Sequence, residues 1–273
     1  MKVNKIYLRT CIGVEYDLPL IPHFIEYYKS LGVDELYITL SSPSKDHENL
    51  ELAKLLLQKY EIKPFAIWIG PYQEDRRGNY LNKMVEHLGG NEWVLTADCD
   101  EFQEYPTGLH EFVDQLDRNG TTWVQGGAVD RVTATGEIPE KLNPALTLFE
   151  QFPAKCNMHR LKREPKNGAF INGEKFMPKV MLHKKSIKLS SGNHIIINKA
   201  GRAWSNAAEK KHKHKEVLEL GHFKWFGRVY KKIVQIKNDD DALQPTRYDG
   251  ILLHLKKYGK INFDEVGWRV NGG

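Results

Sequence analysis

Through its first hundred residues the chain alternates short apolar runs with amphipathic stretches at helical spacing, and this rhythm restricts the fold more than any other feature. Ile6 to Ile12 is an apolar run suited to a buried strand. From Pro19 to Leu31, the residues Leu20, Phe24, Tyr27, Tyr28 and Leu31 recur on one helical face, and Gly32 follows as a stop. Glu35 to Leu40 reads as a second strand, Glu48 to Tyr60 as a second helix, and Lys63 to Ile69 as a third strand. Asp75 to Leu88 reads as a third helix closed by Gly89 and Gly90, and Trp93 to Thr96 as a fourth strand. Strands separated by helices of this length form βαβ units, whose strands pair in parallel. The expected class is therefore α/β, a Rossmann-like, mainly parallel sheet flanked by helices.

After Phe102 the rhythm loosens. Leu109 to Leu116 reads as a helix and Thr122 to Val132 as a strand. Residues 133–178 carry five prolines and read as irregular. Lys179 to Leu189 and His194 to Asn198 read as two strands, Val217 to Phe223 as another, and Trp225 to Lys237 and Arg247 to Tyr258 as amphipathic helices. No stretch rich in Gly, Ser or Pro marks a domain linker. The expectation is one domain over 1–273, with a first half at 1–105, a second at 106–238 and a helical end at 239–273.

Composition narrows the partners. The net charge is +5, from 40 basic and 35 acidic side chains. That sum hides an asymmetry: Lys155 to Lys232 holds 20 basic and 5 acidic residues, and the rest holds 20 and 30. No apolar run approaches the roughly 20 residues of a membrane-spanning helix, and the amino terminus lacks the apolar stretch of a secretory signal. Three separated cysteines, Cys11, Cys99 and Cys156, suggest neither a disulfide framework nor a zinc site. A reducing, cytoplasmic setting is the default expectation.

The segment most charged with chemistry is WVLTADCDEF, 93–102. An apolar strand runs directly into Asp98, Asp100 and Glu101. Ligands of open α/β sheets sit beyond the carboxyl ends of the strands. Two aspartates two residues apart in an extended segment point to one side, and their repulsion there calls for a cation. Carboxylate oxygens at a cleft suit Mn²⁺ or Mg²⁺, completed by substrate phosphates and water. A solvated acidic turn is the plainer alternative.

These residues resemble the signature Trp-Val-Leu-x-x-Asp-x-Asp-Glu-Phe of glycosyltransferases of the GT-A fold, in particular the family-2-like enzymes. IEYYKSLGVDELYI at 25–38 is similar to the corresponding helix and second strand of that group. The likeness is fullest over 5–105 and thinner through GGAVDRVTATGEI (126–138) and GHFKW (221–225). It implies a nucleotide-sugar donor held through its diphosphate by Mn²⁺ or Mg²⁺, with Asp100 as metal ligand. Asp98 would contact the donor ribose or a metal-bound water, and His222 would be a late metal ligand. Thr10, Cys11 and Glu15 stand where the family holds the nucleotide, but the usual Arg-Asn-Glu there is replaced by RTCIGVE. The acidic residue expected after the second strand is replaced by TLSS. The choice between UDP and GDP is therefore open.

Transfer with inversion needs a base for the acceptor hydroxyl and no covalent intermediate. No aspartate occurs between Asp130 and Asp239. Asp130, in a glycine-rich strand end, is the expected base or acceptor-binding carboxylate, with Glu137 as runner-up. A structural pairing of Asp130 with Arg131 is the competing reading. Arg76, Arg77, Asn79 and Lys83 at the third helix suit the donor's base and phosphates. Lys179, His183, Lys184 and His194 read as the solvent face of a strand. The run from Lys210 to Lys215 reads as a mobile basic loop that closes over a diphosphate or rests on an anionic membrane. The acceptor would be a glycan or a lipid-linked one, as in polysaccharide synthesis. Competing classes are a nucleotidyltransferase, which lacks here its glycine-rich loop, a nucleic-acid binder using Trp204, Phe223, Trp225 and Phe226, and a catalytically silent lectin-like protein. The acidic first half makes nucleic acid the weaker partner.

Overall fold

The computed structural model describes residues 5–161, 169–197, 212–229, 233 and 249–266. Four strands of the first half pair in parallel, in the order β3 (Ala66–Ile69), β2 (Glu35–Ser42), β1 (Ile6–Gly13) and β4 (Trp93–Thr96). This order follows from helical crossovers that return each strand beside an earlier one. The crossovers contain α1 (Val14–Asp17), α2 (Ile21–Leu31), α3 (Glu48–Lys59) and α4 (Glu74–Met84). Gly32 closes α2 with φ of +100°, a left-handed value that favours glycine.

The sheet then becomes mixed. Beyond β4 come β9 (Glu174–Lys184), β6 (Trp123–Val132), β12 (Leu218–His222) and β5 (Glu101–Gln103). Strand β9 is antiparallel to both β4 and β6, so β6 runs with β4, and β12 runs parallel to β6. Six strands, β1, β2, β3, β4, β6 and β12, therefore end at one edge of the sheet. Helix α5 (Leu109–Arg118) links β5 to β6. The α/β class expected from the sequence is what the chain adopts, and its parallel character is concentrated in the first half.

The largest apolar cluster draws on residues from Ile6 to Phe226, including Phe24, Tyr28, Trp93, Phe102, Leu182 and Phe223. A second joins Val132, Cys156 and Trp225 to Ile251 and Leu255 of α7 (Asp249–Tyr258).

Several expectations need correction. Residues 133–178 are less irregular than their prolines suggest. They hold α6 (Leu148–Gln151), β7 (Ala154–Cys156), β8 (Ala169–Ile171) and the start of β9. Thr147 and Glu150 close a reciprocal capping box on α6. The strand read as 179–189 is two, because a turn after β9 precedes β10 (Lys188–Leu189), which pairs with β11 (Ile196–Ile197). Residues 212–215 are not a loose loop. Lys213 bridges to Trp123 and hydrogen-bonds Gln125, His212 contacts the Gly120 carbonyl at 3.0 Å, and the His214 ring packs edge-on to Phe112. Most of the Trp225–Lys237 helix, Trp204, Lys210 and Lys211 lie outside the described residues. Among the described residues no helix is long and apolar enough to cross a membrane.

Candidate active site

The carboxyl end of β4 delivers Asp98, Cys99, Asp100 and Glu101 to the edge where the six strands end. The segment is a turn, not an extended strand. The Glu101 amide donates to the Asp98 carbonyl at 2.9 Å, and the Glu101 carboxylate accepts from the Asp98 amide at 3.0 Å. The turn is anchored from α2, where the Tyr28 hydroxyl donates to the Glu101 carbonyl and the Tyr27 hydroxyl to the Gln103 carbonyl, both at 2.8 Å. The paired tyrosines of the IEYYKSLG segment thus fix the acidic turn from below.

Because the segment turns, Asp98 and Asp100 do not share one direction, contrary to the extended-strand expectation. Asp98 is held by the Arg77 guanidinium of α4 and by Lys179 Nζ of β9 at 3.1 Å. Lys179 also reaches Glu101 Oε1 at 2.8 Å. Strand β9 pairs Leu182 with Leu95, and carrying that register three residues on sets Lys179 beside Asp98. Burial opposes the Lys179 charge, yet Asp98 and Glu101 outweigh it and raise the ammonium above its ordinary range. Burial and the neighbouring Asp98 raise the Glu101 carboxyl, against the pull of Lys179.

Asp100 faces the other way. Its Oδ2 accepts from Arg228 at 3.0 Å, and Arg228 also grips Asp17 after β1. Its Oδ1 lies 3.8 Å from His222 Nε2. His222 is the last residue of β12, directly across from Glu101 of β5 and Asp130 of β6. The other imidazole nitrogen, Nδ1, stands 3.2 Å from Asp130 Oδ1.

Asp130 is fully buried. It accepts hydrogen bonds from the Trp225 indole at 2.9 Å and the Met158 amide at 3.2 Å, and Lys224 Nζ lies 3.4 Å away. Burial alone would raise this carboxyl, but Lys224 and His222 hold it well below the usual carboxylate range. A carboxylate so enclosed and so strongly ionised makes a poor proton acceptor. The base role expected of Asp130 is corrected accordingly, as is its pairing with Arg131, which instead meets Glu104 at 2.6 Å. Glu137 is exposed in the turn after β6, where its carbonyl accepts from the Thr133 hydroxyl at 2.7 Å.

The other expected donor residues divide. Arg77, Leu81 and Met84 form the buried face of α4, so Arg77 reaches the site while Asn79 and Lys83 are exposed on that helix. Arg76 lies over the Trp68 ring, 5.0 Å from its centroid. Thr10 is fully buried and alternates with Cys11, which packs with the Leu81 cluster and whose thiol lies 4.0 Å from the Arg77 carbonyl. Burial pushes the Cys11 thiol up to about 12. Thr10 is thus separated from the side that Arg77 occupies. Glu15 lies on a cavity beside Arg228.

Lys179 and His183 contradict the solvent-face reading, since both are buried. Lys179 stands in Met-Pro-Lys-Val-Met-Leu, and a lone lysine inside an apolar run of a central strand needs a carboxylate partner. That signal was available in the sequence. Arg228 had no comparable signal, because its partners Asp17 and Asp100 are distant along the chain.

A divalent cation fits the Asp100 and His222 side of the turn. With metal–ligand bonds of about 2.1 Å, ligand atoms around an octahedral ion lie roughly 3–4.2 Å apart, and the 3.8 Å gap falls within that range. The contact between His222 Nδ1 and Asp130 leaves Nε2 for the ion, the usual arrangement behind a metal-bound histidine. Among the described residues no three His, Cys, Asp or Glu side chains gather as a metal cage. An ion here would draw its remaining ligands from substrate and water.

No family model matches the chain, and no curated protein is similar enough to it to count as a relative. Among solved structures, the chain is similar to S. aureus TarS 1–349, with a TM-score of 0.35, 12% identity, and 96% of this chain and 76% of that chain covered. It is also similar to a putative glucose-1-phosphate thymidylyltransferase from Bacillus anthracis, in complex with a sucrose (TM-score 0.35, 11% identity, 66% and 72% covered). HddC from Yersinia pseudotuberculosis aligns with a TM-score of 0.31, 9% identity, and 66% and 74% covered. Likeness this distant says nothing about chemistry, so the site residues carry the functional argument.

Proposed function

We propose that the protein is a metal-dependent glycosyltransferase of the GT-A type, moving a sugar from a nucleotide-sugar donor to an acceptor hydroxyl with inversion. The observation that carries this reading is the turn at the carboxyl end of β4, which sets Asp100 opposite His222 and Asp98 against Arg77 and Lys179. Asp100 and His222 would hold Mn²⁺ or Mg²⁺. When bound, the ion neutralises charge on the leaving diphosphate.

The chain's own residues divide the remaining work. Asp130 acts as a positioning residue, holding the His222 ring through Nδ1. Asp98, whose carboxylate is about one-third exposed, is placed to accept from a donor ribose hydroxyl while Arg77 and Lys179 fix its direction. Arg77 and Lys179 also bring positive charge to the diphosphate side. Cys11 lines the nucleoside side behind Arg77. Asn79 and Lys83 come into play only where a bound nucleotide extends over the outer face of α4. The acceptor is a glycan or lipid-linked hydroxyl, and its base comes from the loop after β6, where Glu137 is exposed.

The test is thermal stabilisation by UDP and GDP with and without Mn²⁺, because a ligand at 100 times its Kd stabilises by about 2.7 kcal/mol. Asp100→Ala and His222→Ala should each abolish the Mn²⁺-dependent part of the shift. The proposal fails where neither nucleotide binds in a metal-dependent way and Asp100→Ala leaves turnover intact.

A further inference from the structure

A cavity of about 300 Å³ opens beside Arg228, walled by Glu15, Tyr16, Glu140, Gly227 and Arg228. Three stretches of chain meet there. Glu15 and Tyr16 belong to α1, directly after β1. Glu140 comes from the loop after β6. Gly227 follows β12 and is packed so tightly that a Cβ would stand 2.2 Å from the Glu140 carbonyl oxygen. The Gly227 amide also donates to the Pro139 carbonyl at 2.8 Å, which fixes the Glu140 wall against the Arg228 wall.

Arg228 is spent on one side only. Two of its nitrogens serve Asp17 and Asp100. Its Nε is buried and has no acceptor, although the side chain is only 7% exposed. A buried N–H without a partner costs about 1–3 kcal/mol, so an acceptor oxygen arriving with a ligand would be favoured. On the opposite walls, the exposed carboxylates of Glu15 and Glu140 make no ion pair. The cavity therefore presents one donor, a phenol and two free carboxylates, held on three elements and next to the Asp100 oxygen that Arg228 touches.

Charge decides what can enter. The Arg228 guanidinium is already matched by Asp17 and Asp100, so the two wall glutamates leave the cavity with an acidic balance. A carboxylate or phosphate group would meet that balance unscreened by any free cation on the wall. A polyol meets it well, because hydroxyls donate to both carboxylates and one ring or hydroxyl oxygen accepts from Arg228. The volume lies at the small end of ligand pockets, about 300–1,000 Å³, and suits one sugar ring.

We propose that this cavity binds a single neutral or amine-bearing sugar ring, with Glu15 and Glu140 accepting its hydroxyls and Arg228 donating, and that it excludes uronic acids and sugar phosphates. The assignment rests on the sugar-transfer reading only in treating the ring as a substrate of the neighbouring Asp100 and His222. It also moves Glu15 from the nucleotide to the sugar, and separates the basic excess of the second half from the charge preference of the sugar site.

The experiment is saturation-transfer NMR on the full chain with matched panels. Glucose, galactose and mannose are compared with glucosamine and galactosamine, and with glucuronic acid, galacturonic acid and glucose 1-phosphate. The expected result is binding by at least one neutral or amino sugar, with its carboxylated or phosphorylated counterpart at least ten-fold weaker. Glu140→Gln and Glu15→Gln should each weaken the neutral sugar several-fold and narrow the gap to the uronic acid. Thermal shift by UDP and GDP with Mn²⁺ is measured on the same protein and variants, which also reports that they fold. Nucleotide binding together with uronic acids that bind as tightly as neutral sugars, or with no sugar binding at all, overturns the cavity assignment. Sugar binding in the expected order without any metal-dependent nucleotide binding leaves the cavity assignment standing and overturns the transfer reading.

Discussion

Glu101 and Asp130 are both buried carboxylates a strand apart, across β12, yet their surroundings drive them in opposite directions. Glu101 shares one lysine with Asp98, and burial with that second carboxylate raises it. Asp130 is alone among donors, with an indole, an amide, an imidazole and an ammonium around it, and is driven down. Burial is common to both; the ratio of donors to carboxylates sets the charge. The first arrangement leaves an acidic turn whose charges can be redistributed by a ligand. The second is a fixed negative post on which a histidine and a tryptophan are hung.

The contrast can be broken in order of expected effect. Asp130→Ala strands Lys224, the Trp225 indole and the His222 ring, and removing one partner of a buried ion pair costs about 3–5 kcal/mol. Urea denaturation should show a loss of this size, and a loss below about 1 kcal/mol would mean that the post is not structural. Next, Asp100→Ala removes a carboxylate that this comparison assigns to ligand chemistry. Turnover should fall by about 10²–10³-fold, the usual scale for losing one electrostatic contact to a transition state, with the urea midpoint nearly unchanged.

Lys179→Met should cost less than Asp130→Ala, about 1–3 kcal/mol, because a Glu101 whose carboxyl is already raised can take up a proton and relieve the charge. Equal losses in the two variants would break the contrast. The smallest effect concerns His183, on the same strand as Lys179. Its Nδ1–H donates to the Lys184 carbonyl at 2.9 Å, leaving Nε2 to accept from Arg9 at 3.4 Å. Burial, followed by the charge of Arg9, lowers it to about 3. A histidine lowered in the fold stays neutral while the unfolded chain takes up a proton, so stability is retained above pH ~6.5 and falls as the pH drops toward ~3. Between pH 7 and pH 5, His183 should account for a loss of about 2 kcal/mol. The slope of urea stability against pH should flatten by that amount in His183→Asn.

Legibility followed the range of the interactions. The βαβ rhythm, the Gly32 stop and the acidic strand end are local, and each could be read from neighbours a few residues apart. Lys179 was half legible, since a cation inside an apolar run demands a partner but does not name it. The turn that sends Asp98 and Asp100 to different partners was not legible, because it depends on Tyr27 and Tyr28 pinning β5 from another element. The burial of Asp130 was hidden for the same reason, as its donors come from Met158, His222, Lys224 and Trp225.

The sequence by itself therefore determined the layered α/β class and which residues bring carboxylates to a strand end, since hydrophobic period and strand order need only local chemistry. Only the tertiary structure decided what each carboxylate does. The cations and donors that set their charge, Arg77, Lys179, Lys224 and Arg228, arrive from four separate stretches of chain. Electrostatic interaction depends on distance and burial, which sequence separation does not record.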